Sequence, residues 1–359
     1  MKALLEVRGR SPGGTGRRQC AASEGHPTVP GELAGALATA SAGRLIARRF
    51  RLRALLGRGG MGRVWLADDE VLERPVAVKQ VLLHGLGSAE MRSEAWACAL
   101  REARAAARVD HYGAVRIYDI VEDNRCPWIV MEPLPGRTLQ QALNATGHLP
   151  VHQVTILGLR LLEVLQATHR AGIVHGDVKP ANVHLCGGGR VVLTDFGIAC
   201  AIGDACSATG TFPGTPAYIA PERLDGGACG PASDLFSLGA TLFAAVEGWP
   251  PFDRGSLVAT LTALIADAPA PSLRAGPLRP VIEGLLAKDP ARRLSIGQAR
   301  AAFRAIQREH GTARVRTSWT DSSPATSTRT PWTSSRTRPR MAMVEITGRR
   351  ARSFRRRQQ

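Results

Sequence analysis

The feature that most narrows what this 359-residue chain can fold into is a change of period part-way along it. Before residue 132 the pattern is mostly that of strands. Phe50–Leu56, Arg63–Ala67, Arg74–Val81, Val115–Glu122 and Trp128–Met131 are short and rich in β-branched or aromatic residues. One Ala-rich stretch with Glu and Arg, Ser88–Arg108, interrupts them and predicts a helix. After Pro135 the period becomes helical. Val154, Leu157, Leu161, Leu162 and Leu165 fall on one face of a helix. Ser233–Glu247, Leu257–Asp267, Leu278–Ala287 and Ile296–Arg308 predict further helices, with a short strand at Arg190–Thr194. Ser233 and Asp234 suit a helix N-terminus. A β-rich lobe joined to a helix-rich lobe follows, with the join near Glu132–Gly136.

Composition matters mainly for the ends. Hydrophobic residues at 44% suffice for a sizeable core. Much of the net charge of +17 sits outside the patterned region: residues 311–359 hold twelve Arg against Asp321 and Glu345. That tail is rich in Ser, Thr, Arg and Pro, which predicts disorder. Residues 1–44 show no sustained period and read as a disordered leader. The charge is therefore not read as a folded nucleic-acid surface. The Arg-rich tail remains a candidate for anionic partners, nucleic acid or lipid, against the simpler reading of a solvated end. The seven cysteines form no CxxC pair, which gives no support to a zinc ribbon or thioredoxin-like motif. No uncharged apolar run of about 18 residues suggests a transmembrane helix, and a cytoplasmic location with free thiols is the expectation.

Only four lysines stand among 47 basic residues: Lys2, Lys79, Lys179 and Lys288. At a phosphate, a compact ammonium and a wide guanidinium fork are not interchangeable, so a lysine kept in so Arg-rich a chain is a candidate for chemistry. Two of the four lie in suggestive contexts. Gly57-Arg58-Gly59-Gly60-Met61-Gly62-Arg63-Val64 is a glycine cluster between two predicted strands. Alone this pattern is weak. A dinucleotide-binding reading needs a helix straight after the glycines, whereas Val64-Trp65-Leu66-Ala67 predicts a strand, hence a hairpin whose amides can approach phosphate oxygens. Lys79 then falls inside the apolar strand Val76-Ala77-Val78-Lys79, where its amine needs an anionic partner. The strongest segment is His175-Gly176-Asp177-Val178-Lys179-Pro180-Ala181-Asn182, followed by Asp195-Phe196-Gly197. It offers a carboxylate to orient a hydroxyl, a cation for a moving phosphate, and an amide with a second carboxylate for an oxygen-seeking Mg2+.

In combination these segments resemble the eukaryotic-like (Hanks-type) serine/threonine protein kinases of bacteria, especially actinobacteria, over roughly residues 45–308. The resemblance implies an α+β bilobal protein-kinase fold: N-lobe about 45–131, hinge 132–136, C-lobe 137–308, with 309–359 as a tail. It implies ATP and Mg2+ as cofactors and Ser/Thr-bearing proteins as substrates. Gly57, Arg58, Gly59, Gly60, Met61, Gly62 and Val64 would form the phosphate-covering loop, with Ala77 beside it. Lys79 would contact the α- and β-phosphates and pair with a helix carboxylate, Glu102 by choice, with Glu94 as its rival. Asp177 would be the base, Lys179 would neutralise the γ-phosphate, and Asn182 with Asp195 would hold Mg2+. Met131 resembles the gatekeeper, and backbone groups of Glu132 and Leu134 would bond the adenine. Glu222 in Ala220-Pro221-Glu222, its partner Arg293, and Asp234 would be structural. Ser207, Thr209 and Thr211 are candidate autophosphorylation positions, and Thr215 would support the substrate hydroxyl and Asp177.

One departure stands out. Gly176 lies where most such kinases carry the Arg that meets a phosphorylated activation segment, so that switch would lose its main cation. His-Gly-Asp with Asn five residues later also occurs in aminoglycoside and choline phosphotransferases, which act on small molecules. Lys179, the span from Asp195 to Glu222 and Gly214-Thr215-Pro216-Ala217-Tyr218 favour the protein kinase. A nucleotide-binding pseudokinase scaffold is the reading without turnover.

Overall fold

A computed structural model describes residues 41–309, apart from 60–61, 82–92, 94–95, 98–99, 101–102, 105, 125, 197–215 and 225–228. Nine strands stand among the described residues: β1 (Leu45–Ile46), β2 (Phe50–Gly59), β3 (Gly62–Asp69), β4 (Arg74–Val81), β5 (Ile117–Asp123), β6 (Cys126–Met131), β7 (Arg137–Thr138), β8 (Val183–Leu185) and β9 (Val191–Leu193). The first six form one antiparallel sheet in the order β1-β2-β3-β4-β6-β5. Its two faces differ. Phe50, Leu52, Trp65, Ala67, Val76, Val78, Trp128 and Val130 form a small core on one side. Ala77, Val81, Ile129 and Met131 point the other way, into the core shared with the helical lobe. Alternation at period two produces this split, and it leaves Lys79 on the same face as Ala77 and Val81.

The predicted Ser88–Arg108 helix is helical at the positions described within it up to Ala106, among them Ser93 and Leu100, and gives way to a turn at Ala107 and Arg108. After the sheet the chain leaves through Gly136. Its backbone sits at φ +105°, and a Cβ there would lie 2.3 Å from the Leu185 carbonyl oxygen. Only glycine lets the hinge lie this close to β8. Thr138 then caps the Leu139–Thr146 helix, its hydroxyl accepting from Gln141 N while the Gln141 side chain accepts from Thr138 N. The periodic pattern did not expose this helix; its start is set by the capping box.

The long Val151–Arg170 helix buries all five residues of the predicted stripe, Val154, Leu157, Leu161, Leu162 and Leu165. Each such side chain contributes about 1.5–3 kcal/mol on burial. The Pro231–Glu247 helix is enclosed over nearly its whole length, from Ser233 to Glu247. The Leu257–Ala266, Arg279–Leu285 and Ile296–Glu309 helices complete the lobe close to their predicted bounds. β7, β8 and β9 form a small sheet under the join. Of these, only β9 was predicted, within the β-branched run Arg190–Thr194; β7 and β8, which hold Arg137-Thr138 and Val183-His184-Leu185, lie in no such run.

Two of the predicted structural residues meet as expected. Arg293 holds Glu222 through both terminal guanidinium nitrogens, at 2.8 and 3.0 Å. Its remaining N–H groups donate to the carbonyls of Ala287, Ala232 and Lys288. All five donors are thus satisfied, and the Ser233 hydroxyl adds a bond to Glu222 at 2.8 Å. Burial pushes the Glu222 carboxyl up, but these partners outweigh it and hold the pKa below the usual range. Lys288 explains itself structurally: its amine donates to the carbonyls of Ala263 and Leu264 at the end of their helix and sits 3.6 Å from the Phe252 ring centroid. Removing one partner of a buried pair typically costs about 3–5 kcal/mol. Arg293→Met should therefore lower the thermal midpoint by roughly 6–15 °C, measured by calorimetry; a midpoint unchanged within a degree would show the pair to be dispensable.

Candidate active site

The site forms where three backbone segments meet: β4 of the sheet, the loop 175–182 before β8, and the residues after β9. Alternation in β4 sends Lys79 inward, and its ammonium lies 2.6 Å from Asp195 Oδ1. Lys79 is 3% exposed, so the carboxylate supplies the counter-charge that its burial demands. Asp195 is held at φ +63°, in the left-handed region. Aspartate tolerates this better than most residues, and such an outlier beside charged groups marks a site rather than a turn. Burial would raise the Asp195 carboxyl. The Lys79 charge and hydrogen bond override it, with His175 and Lys179 adding, and keep the pKa below the ordinary carboxylate range.

The second cluster is centred on Asp177. Lys179 Nζ lies 2.7 Å from Asp177 Oδ2. The Asn182 amide donates to the same oxygen at 2.9 Å and to the Asp177 carbonyl at 2.8 Å. Asn182 in turn faces Thr194: its carbonyl accepts from Thr194 N and from the Thr194 hydroxyl. The loop carrying Asp177 and the segment carrying Asp195 are thereby locked together. His175 adds a second tie. Its Nε2 donates to the Thr194 carbonyl at 2.9 Å, which leaves Nδ1 to accept from Asp177 N at 3.2 Å. Below the loop, Val178 is fully buried. The buried Asp234 carboxylate accepts from His175 N (2.9 Å), Gly176 N (2.8 Å) and His169 Nε2 (2.7 Å).

The join is fixed from behind. Arg190, in the turn between β8 and β9, holds Glu132 with two bonds of 2.9 and 2.8 Å and covers the Tyr112 ring at 4.7 Å. Burial raises the Glu132 carboxyl, but Arg190 and the Arg116 N–H lower it further, so the net pKa falls. Glu132 N donates to the Arg116 carbonyl. A purine could thus use the Glu132 carbonyl but not its N–H, which refines the expected hinge contact. Met131, Ala77 and Val64 line the inner face of the sheet above Leu134. His184 on β8 turns away from the core-facing Val183 and Leu185; burial lowers its pKa, against a smaller opposing pull from Asp195.

Of the sequence-predicted residues, the structure brings Lys79 to Asp195, and Lys179 and Asn182 to Asp177. It also brings Glu222 to Arg293, and Asp234 to the loop carrying Asp177. Gly57, Arg58 and Gly59 pair with Val64, Arg63 and Gly62 across the β2–β3 hairpin, as a strand following the glycines requires. Gly60, Met61, Glu102, Glu94, Ser207, Thr209, Thr211 and Thr215 lie outside the described residues. Sequence reading missed Arg190, His169 and Arg223, whose partners are far away in the chain and leave no local pattern.

The geometry can be set against known proteins. The protein kinase domain family matches residues 50–303, which is most of the chain and contains every residue of both clusters. The chain belongs to the protein kinase family. It is 37% identical over 278 residues to the serine/threonine-protein kinase PknA of Mycobacterium tuberculosis, covering 74% of this chain and 64% of that protein. It is 35% identical over 250 residues to the serine/threonine-protein kinase PknL of Mycobacterium bovis (69% and 62%). It is 36% identical over 235 residues to the probable serine/threonine-protein kinase PknB of Corynebacterium glutamicum (63% and 36%). The chain thus spans less than two thirds of the length of these relatives. Among the described residues no helix is long and apolar enough to cross a membrane.

The Lys79–Asp195 pair makes a pH-dependent prediction. A carboxyl whose folded pKa is depressed contributes stability that is complete above its unfolded value of ~4 and is lost as pH falls through the folded value. In Lys79→Met burial is opposed only by the weaker pulls of His175 and Lys179, so the Asp195 carboxyl titration should move upward, read by carbon NMR. The stability gap between wild type and variant should be widest near neutral pH and narrow below pH ~4. An unshifted titration would show that Lys79 does not set this carboxyl.

Proposed function

We propose that this chain is an ATP- and Mg2+-dependent serine/threonine protein kinase that transfers the γ-phosphate of ATP to protein hydroxyls, its own included. The observation that carries this reading is the convergence of two acids, two amines and an amide from distant sequence positions. Lys79 meets Asp195, while Lys179 and Asn182 meet Asp177.

In this reading Asp177 orients the substrate hydroxyl and receives its proton as the oxygen attacks phosphorus. Lys179 places positive charge where the phosphoryl group passes between oxygens, and lends that charge to Asp177 at rest. Lys79 orients the nucleotide phosphates. Backbone amides of the Gly57–Gly62 hairpin cover them, and the backbone at Glu132 and Leu134 receives the base. Asn182 and Asp195 suit the metal: each keeps one oxygen free of the described hydrogen bonds, and two hard oxygen donors match an ion that completes its shell with water and phosphate. Magnesium, when bound, supplies positive charge to phosphate oxygens beyond what the two amines provide. Glu222, Arg293 and Asp234 hold the frame. Glu102 is proposed as the helix partner of Lys79 once nucleotide engages Asp195. Residues 45–308 form the catalytic domain in this reading, working in the cytoplasm where ATP is supplied, with 1–44 and 309–359 as appendages.

That these relatives are serine/threonine-protein kinases favours protein over small-molecule substrates, and the full residue set favours turnover over a scaffold. Incubation with labelled ATP, Mg2+ and a panel of proteins and aminoglycosides separates these readings. Label on Ser or Thr is expected, and label on an aminoglycoside alone would overturn the assignment. Asp177→Asn should lower kcat by about 10²–10⁴-fold with little change in nucleotide affinity by calorimetric titration; unchanged turnover would remove Asp177 from the chemistry.

Gly176 brings no guanidinium to the activation segment. Phosphatase-treated protein should therefore keep most of its activity, measured by initial rates before rephosphorylation. A near-total loss would show that phosphate on Ser207, Thr209 or Thr211 is required by another route.

A further inference from the structure

Residue 176 has no side chain, yet the peptide that precedes Asp177 is held at every polar atom. Gly176 takes φ +73°, a left-handed conformation that leaves the following peptide free to rotate unless something fixes it. On its N-terminal side, Gly176 N donates to Asp234 Oδ1 at 2.8 Å. On its C-terminal side, Asp177 N donates to His175 Nδ1 at 3.2 Å. The remaining group is the Gly176 carbonyl, and it accepts from Arg223 Nη1 at 2.6 Å. Arg223 is half-buried, and among the described residues this carbonyl is the one acceptor its side chain has.

What gives that contact its reach is the residue before it. Glu222 is clamped by Arg293 and Ser233 inside the helical lobe, so Arg223 extends from an anchored backbone within a single 3-10 turn, Pro221–Arg223. The carbonyl it holds belongs to the same peptide as the Asp177 N–H. Rotation of that plane would swing the Asp177 carboxylate directly.

We propose that Arg223 is a positioning residue for Asp177: it fixes the peptide 176–177 from the segment ending at Glu222, in place of any side chain at 176. This rests on the kinase reading above. A charged donor on a half-buried carbonyl is among the stronger hydrogen bonds, and an ångström of misplacement at a reacting group can cost a hundredfold in rate. Its loss acts on the chemical step, because Arg223 touches neither Lys79 nor Asp195 among the described contacts.

The test compares Arg223→Met, which keeps the apolar stem, with Arg223→Lys, which keeps one cationic donor. The Met variant should lose about ten- to a hundredfold in kcat, keep KM for ATP within about twofold, and still unfold cooperatively, with a midpoint lowered by a few degrees for the unpaired carbonyl. Its Asp177 amide should exchange with deuterium faster than in wild type. The Lys variant should recover part of kcat and of the protection. A Met variant with wild-type kcat and wild-type exchange at Asp177 would overturn the proposal, as would a kcat loss that Lys does not relieve. Should the Met variant fail to fold, Arg223→Gln replaces it: kcat in the order Arg, Lys, Gln supports the proposal and equal values overturn it. If wild-type protein transfers no phosphate at all, the kinase reading fails while the exchange at Asp177 still decides the role of Arg223.

Discussion

A buried carboxylate organises the helical lobe. Asp234, fully enclosed in the Pro231–Glu247 helix, accepts hydrogen bonds from two consecutive backbone N–H groups of the loop 175–182 and from His169. Such a group is costly inside a protein unless it is fully partnered. Here the partners are the loop itself, so satisfying the carboxylate and placing Asp177 are one event. The same economy recurs at Arg293, where five donors meet one carboxylate and three backbone carbonyls. Each is a polar group buried within an apolar shell, and each fixes irregular backbone that helices and strands cannot fix.

The site stands on this frame and adds charge to it. Asp177 and Asp195 each sit against an ammonium, Lys179 and Lys79 respectively. The asymmetry lies in burial. Lys79 is enclosed and anchored in the sheet, while Lys179 comes from the loop and is more open, with a side chain 16% exposed. Both amines are lysines in a chain whose other basic residues are almost all Arg, and each sits against a carboxylate as a compact point charge.

Much of this was legible along the chain. The change of period separated the strands from the helices, because the faces that bury apolar side chains repeat at two in β4 and near 3.6 in the Val151–Arg170 helix. The glycine cluster followed by a strand separated a covering hairpin from a nucleotide-binding helix start, and β2 and β3 pair in that way. What escaped was short or remote. β7 has two residues, and β8 carries a histidine between Val183 and Leu185, so neither stands in a β-branched run like the one that marked β9. Arg190 and Glu132, 58 residues apart, meet only because Gly136 lets the hinge approach β8. Arg223 and Gly176, 47 residues apart, meet only because Arg293 holds Glu222.

By itself, then, the sequence determined which residue types the site contains and the order in which the elements carrying them arise. Local chemistry suffices for both: apolar period, glycine freedom and capping are properties of neighbours in the chain. The tertiary structure alone decided which charges neutralise one another, that Lys79 faces Asp195, that the Glu132 N–H is already taken, and that the peptide at Gly176 is held from a distant turn. Those depend on buried polar groups finding partners across the fold, and burial exists only once the chain has closed on itself.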